Sequence, residues 1–142
     1  MKLVKHLLDS KGRQIISIAE EASVLDAIKL MAERSIGSLL VMRDGELKGI
    51  VTERDYARKV IVKGRSSKST QVKEIMTAKV RTATTKQTVN ECMTVMTERR
   101  IRHLPVVEDG EVLGLISIGD LVQAIIAAQQ EEIEQLGQYI SG

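Results

Sequence analysis

The sequence is poor in the residues that build aromatic cores, crosslinks and metal sites. It has no Phe or Trp, two Tyr, one Pro and one Cys among 142 residues. The core must therefore consist of Leu, Ile, Val, Met and Ala. One Cys and two His exclude a zinc finger and an internal disulfide, and no apolar run approaches the ~20 residues of a membrane span. These absences predict a cytoplasmic protein that does not enter a membrane.

The charges are nearly balanced, because 21 basic residues face 19 acidic ones and leave a net charge of +2. A general nucleic-acid binder would carry a larger basic excess, so no nucleic acid is expected as a partner. The densest basic stretch, Lys59–Lys73, is interleaved with Gly, Ser and Thr. We interpret its middle part, residues 63–70, as a solvated linker.

Two parts of the chain repeat each other. When the sequence is shifted by 65 residues, Val24–Ala57 aligns with Val89–Val122 over 34 positions without a gap. Twelve of these positions are identical, whereas ordinary composition would give about two. The period exceeds that of solenoid repeats, so the two copies indicate a pseudo-symmetric pair. The identical pairs include Met31/Met96, Ile36/Ile101, Val41/Val106, Gly49/Gly114 and Asp55/Asp120.

Each copy has the pattern of a strand, a helix, two strands and a second helix. The first helix begins with capping-box spacing at Ser23 or Thr88, and Asp-Gly pairs at 44–45 and 109–110 predict a tight hairpin. The sequence therefore predicts an α+β fold of two βαββα repeats, packed sheet to sheet with pseudo-two-fold symmetry. The predicted strands are Ile15–Ile18, Ser38–Met42 and Leu47–Val51 in one copy, and Val80–Ala83, His103–Val107 and Val112–Ile116 in the other.

These patterns divide the chain into four parts. Residues 1–62 are predicted to form the first repeat with an N-terminal segment, residues 63–70 the linker, residues 71–128 the second repeat, and residues 129–142 a C-terminal helical extension. Apolar residues near heptad spacing predict that the last helix runs to about Leu136, where Gly137 ends it. The extension either packs on its own domain or makes a dimer contact, and the sequence favours neither.

The strongest local motif lies where the third strand of each copy leads into the second helix. It reads GIVTERD over residues 49–55 and GLISIGD over residues 114–120. We call Thr52–Asp55 the first corner and Ser117–Asp120 the second corner. A hydroxyl at a helix start with a carboxylate three residues later is a capping box and needs no ligand. The same corner also suits a nucleoside phosphate, because helix N-termini attract phosphate; the spacing alone favours capping.

The two corners and the segment RIRHLPVVEDG, within the repeat, resemble a tandem pair of CBS domains, often called a Bateman module. The resemblance covers about residues 4–128 and is greatest to small stand-alone bacterial proteins of this type. It implies a regulatory sensor that takes part in signal transduction. The implied ligand is an adenosyl compound (AMP, ADP, ATP, NAD or S-adenosylmethionine) bound in clefts between the repeats. It also implies a homodimer.

The resemblance implies three groups of nucleotide-binding residues. In this family the corner Asp holds the ribose and the Thr or Ser helps to hold phosphate. The end of the first strand contacts the base, and the start of the second strand faces the clefts. Carried over to this sequence, the residues are Thr52, Arg54, Asp55, Ser117, Gly119 and Asp120 at the corners, Ser17, Ile18, Thr82 and Ala83 at the ends of the first strands, and Ile36, Gly37, Ser38, Ile101, Arg102 and His103 at the starts of the second strands.

The two clefts are predicted to differ in charge. The first corner contains Arg54, and the resemblance implies that Arg102 and His103 reach it from the other repeat as a cationic fork, which suits phosphate. The second corner offers no comparable cation. We therefore expect the charged nucleotide at the first corner, although Glu53 is unfavourable there unless it points away.

Three classes of function are compared. The first is a nucleotide sensor that changes its own assembly or an unknown protein target. The second is an interaction scaffold whose corners only cap helices. The third, an enzyme, is disfavoured because the sequence lacks a nucleophile–base pair, a Walker loop and a plausible metal cluster. The sequence favours the sensor.

Overall fold

The computed structural model describes residues 2–141, apart from the side chains of residues 139 and 141. The chain forms two compact units. We call residues 14–81 with 109–112 the first-repeat unit, and residues 1–13, 82–108 and 113–142 the second-repeat unit. The elements, in chain order, are α1 (Val4–Lys11), β1 (Ser17–Ile18), α2 (Val24–Arg34), β2 (Ser38–Arg43), β3 (Glu46–Thr52), α3 (Glu53–Tyr56), a π-helical turn (Ala57–Ile61), a 3₁₀ turn (Val72–Glu74), α4 (Val89–Arg99), β4 (His103–Glu108), β5 (Glu111–Ser117) and α5 (Ile118–Ser141).

The first-repeat unit has the predicted order of elements, and the protein is a mixed α+β structure as expected. Its sheet has the order β1-β2-β3, with β1 parallel and β3 antiparallel to β2. The hairpin register places Ser38 opposite Thr52, so β2 begins where β3 ends. The hairpin turns at 44–45 and 109–110 have positive φ at both residues, as the Asp-Gly pairs predict.

The first helix of each repeat begins and ends in the same way. The Ser23 hydroxyl accepts from the Asp26 N–H at 3.0 Å, and the Thr88 hydroxyl accepts from the Glu91 N–H at 3.0 Å. In α4 the Glu91 carboxylate also accepts the backbone N–H of the N-cap residue Thr88. In α2 the Asp26 carboxylate makes no such bond with Ser23. Each helix is then followed by a residue in the left-handed region, Ser35 after α2 and Arg100 after α4. The repeat in the sequence is thus also a repeat in local backbone conformation.

The predicted strand Val80–Ala83 is wrong in extent, because only Ala83 pairs, in a single parallel bridge with Val106. In the first-repeat unit, the Leu40 N–H donates to the Ile16 carbonyl at 3.3 Å and so extends the pairing. The residue equivalent to Leu40 is Pro105, which has no N–H to donate. One proline therefore shortens this strand.

Each repeat is completed by the segment that precedes the other repeat. Helix α1 belongs to the core of the second-repeat unit, where Val4, Leu7 and Leu8 are buried, whereas the sequence analysis grouped this segment with the first repeat. In the first-repeat unit the same place is taken by residues 71–77. The two segments make equivalent backbone hydrogen bonds. The Val4 N–H donates to the Gln87 carbonyl, and the Val72 N–H donates to the carbonyl of the equivalent residue, Ala22.

The predicted linker is also tied to the first-repeat unit. The carbonyls of Ser67 and Thr70 accept the backbone N–H groups of Leu25 and Val24. These are donors of the first turn of α2, which have no partner within the helix. Thr70 is buried. The linker therefore caps a helix rather than lying free in solvent.

Helix α5 is longer than predicted. It continues through Gly137 to Ser141, so the prediction that Gly137 ends the helix is wrong. A glycine inside a helix costs only about 1 kcal/mol relative to alanine, and Gly137 is not among the residues with positive φ. The described side chains from Ala128 to Gln138 are exposed. Among the described side chains of the helix, the exposed large apolar ones are Val122, Ile126, Ile133, Leu136 and Ile140.

Candidate functional site

The first corner is a complete capping box in the first-repeat unit. Asp55 Oδ2 accepts the Thr52 N–H at 3.0 Å and the Thr52 hydroxyl at 3.1 Å, while the Asp55 N–H donates to that hydroxyl oxygen. Lys59 lies one turn further along, with Nζ 3.3 Å from Asp55 Oδ1. Lys59 Nζ also donates to the Ile75 carbonyl at 2.8 Å. The Asp55 side chain is 14% exposed, so solvent still reaches it.

The second corner repeats this geometry in the second-repeat unit. Asp120 Oδ2 accepts the Ser117 N–H at 2.8 Å, and the Asp120 N–H donates to the Ser117 hydroxyl at 3.2 Å. The cation here is Lys11 at the end of α1, whose Nζ lies 2.6 Å from Asp120 Oδ2. Lys11 Nζ also donates to the Leu115 carbonyl at 2.6 Å. Asp120 Oδ1 accepts no hydrogen bond from any described residue.

The charge state of the second corner follows from these contacts. Burial by itself would raise the pKa of Asp120, but the hydrogen bonds from Lys11 and Ser117 and the Lys11 charge outweigh it and lower that pKa. The pKa of His103 is also lowered, chiefly by burial and then by the Lys11 charge, against the opposite effect of Asp120. His103 is therefore neutral near pH 7. The cationic fork of Arg102 and His103 expected at the first corner stays a prediction, in which Arg102 supplies the permanent charge.

In the first-repeat unit, the predicted residues at the start of β2 and at the first corner gather at one end of the sheet, whereas Ser17 and Ile18 pair with Leu40 and Val41 further along β2. Ser38 lies opposite Thr52 across the hairpin, and the Glu53 N–H donates to the Gly37 carbonyl at 3.1 Å. Strand β1 runs alongside, with Ser17 and Ile18 paired to β2. The eight predicted residues in this unit are Ser17, Ile18, Ile36, Gly37, Ser38, Thr52, Arg54 and Asp55.

The other eight predicted residues lie in the second-repeat unit in the same arrangement. The Ile118 N–H donates to the Arg102 carbonyl at 2.8 Å, so the start of β4 lies beside the second corner. Ala83 bridges to Val106, one residue after the buried Pro105. The residues are Thr82, Ala83, Ile101, Arg102, His103, Ser117, Gly119 and Asp120.

The predicted difference in charge between the corners is wrong for the second corner. The sequence analysis found no cation there, but Lys11 contacts Asp120 directly. At the first corner, Glu53 lies near the start of β2, because a Cβ added to Gly37 would be 3.3 Å from Glu53 Oε1. The equivalent of Glu53 is Ile118, which is uncharged. The second corner thus has one carboxylate, Asp120, and two cations, Lys11 and Arg102. The first corner has two carboxylates, Asp55 and Glu53, and two cations, Arg54 and Lys59.

Lys11 is the functional candidate that sequence reasoning missed. The signal that could have found it is a second alignment, at a shift of 68 residues, between VKHLLDSK (residues 4–11) and VKEIMTAK (residues 72–79). This shift differs from the 65 residues of the main repeat. Lys79 is the equivalent of Lys11, but it is exposed and has no hydrogen bond or ion pair with the described residues. The chain turns away at Thr77 to pair with Ile50, whereas α1 continues as a helix to Lys11.

Other kinds of site are not found in the described part of the chain. Residues 2–141 contain no group of three or more His, Cys, Asp or Glu side chains placed to hold a metal ion. No described helix is long and apolar enough to cross a membrane. A surface groove of about 660 Å³ lies along α5 and includes Lys2, His6 and Glu132. It contains none of the predicted site residues.

Two βαββα-type repeats, each with a capped hydroxyl–carboxylate corner, define the class of fold, and comparison with known proteins identifies the family. The model of the CBS domain matches residues 5–62 and again residues 72–127. The chain belongs to the CBS domain family. The CBS domain-containing protein CBSX3, mitochondrial, of Arabidopsis thaliana is 43% identical over 98% of this chain and 72% of its own length.

Solved structures show the same fold. A protein with CBS domains from Burkholderia ambifaria is 54% identical, with a TM-score of 0.87 over 90% of this chain and 96% of its own. The CBS domain pair of the protein MJ0100 was solved in complex with 5′-methylthioadenosine and S-adenosyl-L-methionine. It is 27% identical, with a TM-score of 0.80 over 90% of this chain and 98% of its own.

Proposed function

We propose that this protein is a sensor that binds an adenosyl nucleotide at its corners and thereby changes its own assembly or the behaviour of a protein target. The observation that carries the proposal is the pair of matched corners. Each holds a carboxylate against the first turn of a helix and leaves it partly exposed, 14% at Asp55 and 20% at Asp120. The adenosyl ligands in the similar MJ0100 structure support the ligand class.

Capping leaves hydrogen-bond acceptor sites on both carboxylates. An ionised carboxylate has about four lone-pair sites. At the second corner, both hydrogen bonds go to Oδ2, and Oδ1 accepts none from the described residues. At the first corner, Lys59 is the only described residue that Asp55 Oδ1 meets, at 3.3 Å. A ribose diol can therefore donate to either Asp while its capping bonds persist. At each helix start the first and third N–H groups are already donated within the fold, so a phosphate would meet the second one, that of Arg54 or Gly119.

The alternative function is an interaction scaffold without a nucleotide. The observation in its favour is that both capping boxes are complete by themselves. The two functions differ in one respect that can be measured, because only the sensor is stabilised by an adenosyl compound.

A thermal-shift panel separates these functions. AMP, ADP, ATP, NAD, NADH and S-adenosylmethionine are each added to the full chain and to variants Asp55→Ala and Asp120→Ala. A ligand at 100 times its Kd adds about 2.7 kcal/mol, which raises the melting temperature by roughly 5–10 °C. We expect at least one compound to do so and at least one Asp variant to lose the shift.

Ser23→Ala is the matched control for this panel. It removes an N-cap that holds the Asp26 N–H, which costs about 1 kcal/mol, but it touches no proposed ligand residue. The control should melt earlier and keep its ligand shift. If no compound shifts the wild type, the sensor is rejected and the scaffold is supported.

We also propose that the working assembly is a homodimer. The exposed apolar residues of α5 support this, because Ile126, Ile133, Leu136 and Ile140 fall at heptad spacing on one face. Light scattering on the full chain measures the mass in solution and tests this assembly. A cytoplasmic location stays a prediction from the sequence, and the Arabidopsis relative is described as mitochondrial.

A further inference from the structure

We propose that Lys11 binds the phosphate of a ligand at the second corner. This corner then binds adenosyl ligands with a phosphate more tightly than ligands without one. This inference rests on the proposed function and adds a residue and a selectivity to it. It also assigns the charged ligand to the second corner rather than the first.

Lys11 has a donor left for a ligand. An ammonium group carries three N–H donors. In the structure one goes to Asp120 Oδ2 and one to the Leu115 carbonyl, both at 2.6 Å. The third has no partner among the described residues. The Lys11 side chain is 38% exposed, so a ligand can reach it from solvent.

The position of Lys11 is fixed before any ligand arrives. Helix α1 is held by buried Val4, Leu7 and Leu8. Leu8 lies against Gly114 on β5, where an added Cβ would come within 2.8 Å of Leu8 Cδ2. Because the helix is anchored three residues before Lys11 and the ammonium is already held by Asp120 and the Leu115 carbonyl, little freedom is lost when it meets an anion. A lysine placed in this way contributes more than a mobile surface lysine does.

The charges around the two corners support the assignment to the second. Lys11 neutralises Asp120, so the carboxylate that is to accept ribose hydroxyls does not repel a phosphate. Arg102 adds a positive charge beside the corner, and Ile118 adds no carboxylate. At the first corner, Glu53 adds a negative charge and offsets Arg54. An anion is therefore attracted more strongly to the second corner.

Isothermal titration calorimetry with AMP and adenosine tests the inference. The two probes share the adenosyl group and differ in the phosphate. In Lys11→Met we expect AMP to bind roughly 10- to 100-fold more weakly, which is the usual worth of a hydrogen bond to a charged group. Adenosine should change by no more than a few fold. Lys11→Arg keeps the charge and should retain most of the preference for AMP.

Lys5→Met is the matched control, because Lys5 lies on the same helix, is exposed and has no side-chain partner among the described residues. It removes the same charge and should leave both affinities unchanged. The ratio of AMP to adenosine affinity cancels any general loss of folded protein.

The outcomes separate this inference from the proposed function. If the wild type binds AMP and Lys11→Met loses affinity for AMP selectively, the inference holds. If Lys11→Met leaves AMP affinity unchanged, or weakens AMP and adenosine equally, the inference is overturned and the proposed function stands. If the wild type binds neither probe nor any compound of the thermal-shift panel, the proposed function fails and the inference falls with it.

Discussion

The two corners share a sequence pattern and a capping geometry, yet a different part of the chain supplies the lysine at each. Lys59 lies four residues after Asp55 on the same helical segment, whereas Lys11 lies 109 residues before Asp120. The local pair is longer, 3.3 Å against 2.6 Å. Duplication of a motif therefore preserves its hydrogen bonds to the backbone, because these lie within the motif, but does not preserve its charge environment.

The largest expected contrast concerns the glycine that opens each motif. A Cβ at Gly49 would come 2.6 Å from the Thr77 carbonyl oxygen, which is backbone and cannot move alone. A Cβ at Gly114 would meet only the flexible end of Leu8, at 2.8 Å. We expect Gly49→Ala to lower the free energy of unfolding by about 2–3 kcal/mol and Gly114→Ala by about 1 kcal/mol.

Urea denaturation of the two glycine variants measures this difference. Equal losses in both would show that the segments completing the two repeats are equally rigid, which contradicts the contrast drawn here.

The next contrast concerns acid stability at the second corner. Because the pKa of Asp120 is lowered in the folded protein, its ionisation stabilises the fold above the unfolded pKa of about 3.9 and this stability is lost as the pH falls through the lowered value. Lys11→Met should raise the pKa of Asp120. At pH 7 it should lower the free energy of unfolding by at most about 1 kcal/mol, since both groups are partly exposed.

Two measurements check the acid prediction. An NMR titration of the Asp120 carboxyl carbon should show the higher pKa in the variant. Urea denaturation between pH 5 and pH 2 should show the two proteins converging as the pH falls below about 3.9. A stability difference that stays constant over this range would mean that Lys11 acts by packing rather than by its charge.

The smallest effect is expected for the lysine of the first corner. Lys59→Met breaks an i,i+4 pair whose lysine is 44% exposed, so the free energy of unfolding should fall by about 0.5 kcal/mol or less. Urea denaturation beside Lys11→Met gives the comparison. If Lys59→Met proves the more destabilising of the two, the hydrogen bond to the Ile75 carbonyl matters more than the ion pair.

The sequence predicted what is local and missed what depends on distant residues. The hairpins at 44–45 and 109–110 and the caps at Ser23 and Thr88 were predicted because each rests on a few adjacent residues. The extent of the strand at Ala83 depends on an N–H that Pro105 lacks, and that partner lies more than 20 residues away. At Gly137 the local signal was misleading. A glycine is a poor helix former, but it does not end a helix that the residues on both sides continue.

The candidate site divides along the same line. Thr52, Asp55, Ser117 and Asp120 follow from the motif and lie together as expected within each unit. Lys11 does not follow from it, because its place at the second corner requires α1 to join the repeat that follows later in the chain. No spacing within the motif could indicate that exchange.

The exchange of segments has a consequence for the order in which the protein folds during synthesis. Apart from residues 109–112, the first-repeat unit is one continuous stretch, residues 14–81. Most of it has therefore left the ribosome before synthesis of the second repeat is complete. Helix α1 is synthesised before the first repeat but must wait for residues 82–128 to cover its buried face. Until then Val4, Leu7 and Leu8 are exposed on the nascent chain, where chaperones recognise apolar segments of this kind.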